Sequence, residues 1–180
     1  MVGVQMATIN THATRHGGKS ENYAGGVVIH YFVFPESNAA EGARLKKVEQ
    51  ACFILARLDK RLDLNGPCNS YFRKLPRSRS FNQIWRDPGV FVNYSPSGSF
   101  FGAAHSNGKD LCVTKWCIEN HNRWVIAATI VHELAHLGGA PGGASHDAER
   151  SVEQCGFGPQ YEPTIVGSIR GLAGYLERVA

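Results

Sequence analysis

The sequence contains no apolar run close to the about 20 residues that a helix needs to cross a bilayer, which excludes a helical membrane protein. Its five cysteines form no CxxC pair, so a zinc knuckle is not expected, although Cys112 and Cys117 could bridge within a hairpin. P-loop, dinucleotide-binding and nucleophile-elbow motifs are also missing. Residues 1–26 lack the apolar core of a signal peptide, so export by such a signal is not expected.

Charge of either sign is sparse in this chain. Charged residues make up 19% of its 180 residues, and the net charge is only +4. We interpret the densest basic cluster as a solvated loop with nearby core aromatics rather than as a nucleic-acid surface. It comprises Arg73, Lys74, Arg77, Arg79 and Arg86. Hydrophobic residues, at 43%, are sufficient for the core of one domain. We therefore expect one folded unit that does not bind nucleic acid.

The first half of the chain predicts an arm, a strand and a long helix. Residues 1–26 are polar and rich in small residues, so we expect a flexible arm or linker, followed by one domain over residues 27–180. Dense β-branched and aromatic residues predict a strand over residues 27–34. Apolar residues at spacings of three and four predict a helix over residues 39–62. Residues 66–88 form a basic connection without a clear pattern.

The second half predicts three strands and three helices. The strands are expected over residues 90–94, 99–104 and 111–118, and a Ser-Pro-Ser-Gly turn joins the first two. The helices are expected over residues 122–137, 145–155 and 163–179. Together these elements predict an α+β fold in which a small antiparallel sheet packs against several helices.

Residues 132–136 read His-Glu-Leu-Ala-His, and this segment carries the predicted chemistry. Because a helix turns once in 3.6 residues, His132 and His136 lie on one face and can bind one Zn²⁺ ion. Glu133 lies near that ion without binding it and can act as the general base on water. The preceding residues 125–131 are almost uniformly apolar, so this helix is expected to be buried. Buried imidazoles need a partner, which a metal ion supplies.

A catalytic zinc site needs a third protein ligand and an open position for water. The glycine-rich loop after His136 leads into a helix that opens with Ser-His-Asp-Ala-Glu. Three potential ligands lie there: His146, Asp147 and Glu149. The alternative interpretation of the two carboxylates is that acidic residues in a first helical turn interact only with the helix dipole.

The His-Glu-x-x-His segment resembles the zincins, the zinc peptidases that share this motif. Six residues past His136 the chain has Gly142, not the third histidine of metzincins, and the spacing is more similar to that of the aspzincins, or deuterolysin-like peptidases. This resemblance implies Asp147 as the third ligand, eleven residues beyond His136, and Cys155 resembles a cysteine that often follows. Arg150 occupies the position where aspzincins tend to carry a tyrosine.

The same stretch, about residues 124–156, also resembles small zincin-like domains at the ends of bacterial secreted toxins and effectors. This second resemblance implies Glu149 as a ligand, so the candidates rank Asp147, then Glu149, then His146. It also implies a domain that is delivered outside the producing cell as part of a larger polypeptide. An inhibitory or immunity protein would then restrain the enzyme inside that cell.

We therefore expect a zinc-dependent metalloendopeptidase that acts on peptide or protein substrates. Two alternatives remain: a binding module in which a structural metal has His146 as fourth ligand, and an amide hydrolase of cell-wall peptides. An extended substrate is expected to add to an edge strand, either residues 111–118 or residues 90–94. His105 is a weaker candidate for the cleft, and Tyr161 is a weaker candidate for a hydroxyl donor.

Overall fold

Six helices and two sheets make up the part of the chain that the computed structural model describes, namely residues 6–14, 16–23, 26–142 and 145–157. The strands are β1 Thr8–Ile9, β2 Lys19–Tyr23, β3 Val27–Tyr31, β4 Phe91–Ser95, β5 Gly102–Ala104 and β6 Asp110–Thr114. The helices are α1 Ala39–Arg61, α2 Pro67–Lys74, α3 Phe81–Trp85, α4 Lys115–Asn120, α5 Arg123–Leu137 and α6 Asp147–Gln154. The predicted α+β class is confirmed. The predicted helix over residues 163–179, and Tyr161, lie outside the described residues.

The main sheet has four strands in the order β1-β4-β6-β5. β1 and β6 both run parallel to β4, whereas β5 runs antiparallel to β6. The expected antiparallel arrangement thus holds for the β5–β6 pair and for the separate β2–β3 hairpin, while the main sheet is mixed. The connection after β4 causes this difference. After β4 the chain forms β5 two positions away in the sheet, and β6 then fills the position between them. β5 therefore pairs with β6 and not with β4.

The strongest hydrophobic periodicities correspond to helices close to their predicted bounds. α1 ends one residue before the predicted limit of residues 39–62, and the Asn38 side chain caps it by accepting a hydrogen bond from Glu41 N over 3.0 Å. α5 follows Asn122, whose side chain accepts hydrogen bonds from two N–H groups of the first turn. Such caps satisfy amide groups that have no partner within the helix.

Two stretches differ from the prediction. Residues 66–88, which lack a clear pattern, contain α2 and α3. Ser80 begins α3 with a capping box, a reciprocal pair of hydrogen bonds with Gln83. The predicted strand over residues 111–118 ends at Thr114. The side chain of Thr114 accepts a hydrogen bond from the backbone three residues later and so begins α4.

The expected flexible arm over residues 1–26 does not agree with the described part of that segment. β1 pairs with β4, and β2 pairs with β3 over its whole length. The Asn10 side chain is fully buried and donates a hydrogen bond to Asn93 Oδ1 over 2.7 Å. Polar side chains of this segment are therefore satisfied by partners far along the chain, which composition alone does not reveal.

A disulfide bond joins Cys68, in α2, to Cys155, which directly follows α6. The suggested bridge between Cys112 and Cys117 is wrong, because both thiols are free and buried. β6 passes directly into α4, so no hairpin lies between these two residues. The disulfide instead fixes the helix that follows the His-Glu-x-x-His segment to a helix from the first half of the chain.

Helix α5 runs through the core, as its apolar sequence predicts. Every residue over positions 125–137 is buried except His136, which is partly exposed. α5 packs against α1, α6 and the strands β5 and β6. Among the described residues, no helix combines the length and the hydrophobicity needed to cross a membrane.

Candidate metal centre

The two histidines of α5 converge on one point. His132 Nε2 lies 3.1 Å from His136 Nε2. Two nitrogen ligands of a tetrahedral zinc ion, each at about 2.0–2.1 Å from the metal, would lie roughly 3.3 Å apart. Glu133 belongs to the same cluster, since the ligand atoms of the three side chains all lie within 4.8 Å of one another. We refer to His132, Glu133 and His136 together as the metal cluster.

A backbone carbonyl orients His136. Its Nδ1 lies 2.9 Å from the oxygen of Ala140, and because a carbonyl only accepts, Nδ1 carries the proton. The lone pair is then on Nε2, which faces His132 and is available to a metal ion. The turn after α5 brings Ala140 to this place, and Gly139 within it has φ +95°, a conformation that other residues rarely adopt. The glycine-rich segment thus has a specific role in the geometry of the cluster.

Two residues of the metal cluster are buried, and each of them has an unsatisfied polar atom. His132 is 2% exposed and Glu133 is 1% exposed. Within the described part of the chain, neither His132 Nδ1 nor Glu133 Oε1 has a hydrogen-bond partner. Leaving such a group without a partner costs about 1–3 kcal/mol. A cation that binds at Nε2 and lies near the carboxylate would offset part of this cost.

Burial also sets the charge state of the cluster. It lowers the pKa of His132 well below the usual value and lowers the pKa of His136 below it. For His132, the proximity of His136 adds to this effect. Burial raises the pKa of Glu133, and the nearby charge of Glu149 raises it further. Both imidazoles are therefore neutral, which is the form that binds a metal ion.

The two carboxylates of α6 differ in their surroundings. Asp147 is half-buried, and its Oδ1 accepts a hydrogen bond from the hydroxyl of Tyr71 over 3.0 Å. Glu149 is only 4% exposed and lies close enough to affect the pKa of Glu133. Neither carboxylate lies within the group of converging ligand atoms that the described residues form. Burial beside α5 therefore favours Glu149 over Asp147 as the additional ligand.

His146 and His105 do not belong to the group of converging ligand atoms that the described residues form. His146 precedes α6 with a left-handed backbone at φ 52°, its side chain is exposed, and its Nδ1 is 4.0 Å from a carboxylate oxygen of Glu149. His105 Nδ1 accepts a hydrogen bond from Asn107 N over 3.0 Å, and its ring packs edge-on against Tyr31. The structure thus brings neither histidine to the predicted zinc site.

Strand β5 lies beside the metal cluster, which the sequence did not indicate. A Cβ atom added to Gly102 would lie 3.3 Å from Glu133 Cγ and 2.6 Å from the carbonyl oxygen of Cys112. Only glycine fits between the neighbouring strand and the helix at this point. The strand periodicity of residues 99–104 predicts a strand here, but nothing in it predicts which helix the strand contacts.

Both strands that we considered for substrate addition lie inside the main sheet. β6 has neighbours on both sides and so does β4, whereas β1 and β5 form the edges. Phe101 and His105, which flank β5, form backbone hydrogen bonds with residues of β6. Because backbone groups alternate in direction along a strand, those of Gly102 and Ala104 point away from β6. The hydroxyl of Tyr23 donates to Ala104 O over 2.9 Å. The outer side of β5 next to Gly102 is therefore a sheet edge that lies beside Glu133.

Tyr23 is a second residue that the sequence did not indicate. Its pKa is raised, mainly by burial, and the charge of Glu133 contributes to the same shift. Tyr23 lies in the segment that composition identifies as an arm, which is why its proximity to the cluster was not predicted.

Comparison of the chain with protein-family models, with curated protein sequences and with solved structures finds no match. The resemblance to zincins therefore stays a prediction, and a functional assignment depends on the geometry of the metal cluster.

Proposed function

We propose that this chain is a zinc-dependent hydrolase, most specifically a metalloendopeptidase. The observation that carries the proposal is the convergence of His132 Nε2 and His136 Nε2 at 3.1 Å, with the Glu133 carboxylate in the same buried cluster. A pair of neutral imidazoles beside one carboxylate on a single helical turn is the ligand-and-base arrangement of a metal-assisted hydrolase.

Glu149 is the third ligand that we favour. It is buried on a helix that packs against α5, and its charge acts on Glu133. Asp147, which the aspzincin resemblance implies, is engaged by Tyr71 instead. Two imidazoles and one carboxylate leave one position open on a tetrahedral ion, as catalysis requires.

Glu133 has the position of the general base. When bound, zinc would lower the pKa of a coordinated water toward about 7 and polarise the scissile carbonyl. The carboxylate of Glu133 lies within 4.8 Å of both histidine ligand atoms, so it can accept the proton of the attacking water and then protonate the leaving amine. Its burial keeps competing water away from this proton transfer.

The edge strand β5 supports an extended peptide as the substrate. The backbone groups of Gly102 face away from β6 beside Glu133 and can pair with a peptide strand, whereas the outer carbonyl oxygen of Ala104 already accepts a hydrogen bond from Tyr23. A peptide paired with Gly102 would place a carbonyl near the metal cluster. The peptide stems of peptidoglycan present the same type of amide bond, so they belong in the same substrate test.

The disulfide bond supports a destination outside the cytosol. Disulfides persist in oxidising compartments and are rare where thiols are kept reduced. Cys68 and Cys155 are both buried, so their bond is part of the folded core. A secreted or delivered domain of this kind would be held inactive in its producing cell by an inhibitory partner, as the resemblance to effector domains implies.

The decisive test is Glu133→Gln. We expect hydrolysis of casein, or of peptidoglycan stem peptides, to fall at least about 10²–10⁴-fold because the general base is lost. Zinc content, measured by elemental analysis, should stay unchanged, because Glu133 is not a ligand. The exposed Glu36→Gln is the matched control and should keep full activity. Equal cleavage by the Glu133→Gln variant and the parent would refute the assignment of the base.

A binding module with a structural metal is the second candidate, and the near-complete burial of His132 and Glu133 favours it. Such a site would have four protein ligands and no open position. The exposed position of His146 counts against its role as the fourth ligand. X-ray absorption spectroscopy of the zinc-loaded chain distinguishes the two: a water ligand indicates catalysis, and a closed set of protein ligands indicates structure.

A further inference from the structure

Side chains of β2 lie along part of the outer side of β5. By alternation along β5 and just past its end, the backbone groups that point away from β6 are those of Gly102, Ala104 and Ser106. β2 occupies the last two of these positions. The Tyr23 hydroxyl donates to Ala104 O over 2.9 Å, and Ser106 N donates to Glu21 Oε2 over 3.2 Å. A peptide strand that pairs with Gly102 would therefore meet these two side chains where it needs its next backbone partners.

β2 is fixed in this position at both of its ends. At one end, the Tyr23 oxygen lies 3.3 Å from the hydroxyl oxygen of Tyr31, which is fully buried, and 3.2 Å from Oε2 of Glu21. At the other end, Lys19 Nζ lies 2.6 Å from Oδ2 of Asp110, a buried residue of β6. A peptide would have to break these contacts to move β2 away from β5.

The part of this edge that β2 leaves open is the part beside the metal cluster. A Cβ atom added to Gly102 would lie 3.3 Å from Glu133 Cγ. The charge of Glu133 also helps to raise the pKa of Tyr23, so Tyr23 ends the open edge close to the proposed general base. Hydrogen-bonded pairs recur at every second residue of an antiparallel ladder. If one substrate residue pairs with Gly102, the residue two positions before it would need Ala104.

We propose that Tyr23 and Glu21 limit how far a substrate can extend along β5 on its N-terminal side. This inference rests on the proposed peptide hydrolase function, and it takes the substrate strand as antiparallel, the more stable pairing per residue. One residue pairs with Gly102, the residue before it lies opposite Ala103, and the ladder ends there. The chain would therefore prefer bonds near the N-terminus of a peptide, or just after a turn, to bonds within a long extended segment.

N-methylation of single peptide amides tests this limit in the full, zinc-loaded chain. The host is the Glu133→Gln variant, so that binding is measured without cleavage, and the probe is the casein peptide that this host binds most tightly in calorimetric titration. Methylation of the amide that faces Gly102 should weaken binding about fivefold, the value of a typical net hydrogen bond. Methylation of the amide two residues earlier should leave the affinity unchanged, because Tyr23 already occupies its acceptor.

Removal of the two β2 side chains should open the edge. In the same host with Glu21→Ala and Tyr23→Ala, the amide two residues earlier can donate to Ala104 O, and its methylation should now weaken binding about fivefold. Asn22→Ala is the matched control, since Asn22 is exposed and lies on the opposite face of β2, and it should keep the host's pattern. If the double variant does not fold, Tyr23→Phe removes the hydroxyl alone and should give a smaller, about twofold, sensitivity at the same amide.

Three results would overturn the proposal. A second sensitive amide in the host, two residues before the first, would mean that β2 does not limit the substrate. Unchanged sensitivity in the opened variant would mean that these side chains do not end the ladder. The absence of any binding, or of any sensitive amide, would mean that β5 is not a peptide-binding edge. Failure of the proposed hydrolase function is seen separately, as a parent chain that binds the casein peptide and does not cleave it.

Discussion

Two groups of buried polar side chains in this protein differ in how completely they are satisfied. Around Asp110, the Oδ1 atom accepts from His16 at 2.7 Å and from Asn93 at 3.0 Å, and Oδ2 accepts from Lys19 at 2.6 Å and from Asn107 at 2.7 Å. In the metal cluster, by contrast, His132 Nδ1 and Glu133 Oε1 lack any such partner among the described residues.

This difference is the reason that we propose a structural role for one group and a ligand site at the other. Asp110 is almost inaccessible to water, and so are His132 and Glu133, so the burial of these side chains does not distinguish the two groups. The satisfied carboxylate of Asp110 fixes the N-terminal segment to β6, and it needs nothing further. The unsatisfied metal cluster bears a cost that a bound cation would offset in part, which is why we propose the ligand site there and not at the Asp110 group.

The largest expected effect is on metal affinity. We expect His132→Ala to weaken zinc binding by at least about 10³-fold, or about 4 kcal/mol, because a direct ligand is worth more than the outer-shell contacts whose loss costs 10–100-fold. The measurement is calorimetric titration with zinc. His12→Ala, which removes an exposed histidine from the N-terminal segment, is the control and should bind as the parent does. Unchanged affinity in His132→Ala would remove the contrast between the two groups.

The Asp110 group predicts a pH dependence of stability. Burial acts to raise the pKa of Asp110, but hydrogen bonds from Lys19, Asn107, Asn93 and His16 outweigh it and lower the pKa from 3.8 to about 2. Because the folded-state pKa is the lower one, the stabilisation is present above about pH 4 and is lost as the pH falls toward 2. The shift corresponds to about 2 kcal/mol.

Urea unfolding at several pH values between 2 and 6 measures this effect. The parent should lose about 2 kcal/mol over that range through Asp110. Asp110→Asn should remove that part of the slope, because the amide does not titrate. Asp87→Asn changes a more exposed carboxylate that pairs with Arg79, and its slope should stay close to that of the parent. An identical slope for the parent and Asp110→Asn would show that the Asp110 group is not a source of acid sensitivity.

The convergence of His132 and His136 and the positions of the long helices could be predicted from the sequence because their signals are local. His132 and His136 share a face at a spacing of four whatever the rest of the chain does, and the stripe of α1 is equally local. The capping box of Ser80 and Gln83 is just as local, so the start of α3 within residues 66–88 also has a signal in the sequence.

The features that the sequence did not predict depend on distant partners. β1 has two residues and no pattern of its own, and it exists because β4 offers an edge. Lys19 and His16 lie in a polar segment, and nothing in that segment indicates their partner. Their buried partner is Asp110, more than 90 positions later in the chain. The pairing of Cys68 with Cys155 likewise follows from the packing of α2 against α6, which no spacing encodes.

The smallest expected effect tests whether Asp147 is a satisfied carboxylate, like Asp110, or a metal ligand. Its Oδ1 accepts a hydrogen bond from Tyr71, whose hydroxyl stays protonated because burial and the contact with Asp147 raise its pKa to about 12. Asp147 is thus satisfied, as Asp110 is, and we expect Tyr71→Phe to cost about 1 kcal/mol of stability and to leave zinc affinity unchanged. Glu149→Gln, by contrast, should weaken zinc binding at least tenfold, since it removes a favoured ligand (about 1.4 kcal/mol). If calorimetric titration shows the reverse, with zinc affinity altered in Tyr71→Phe and preserved in Glu149→Gln, then Asp147 is the third ligand, and the hydrogen bond from Tyr71 orients a metal-binding carboxylate instead of holding it away from the cluster.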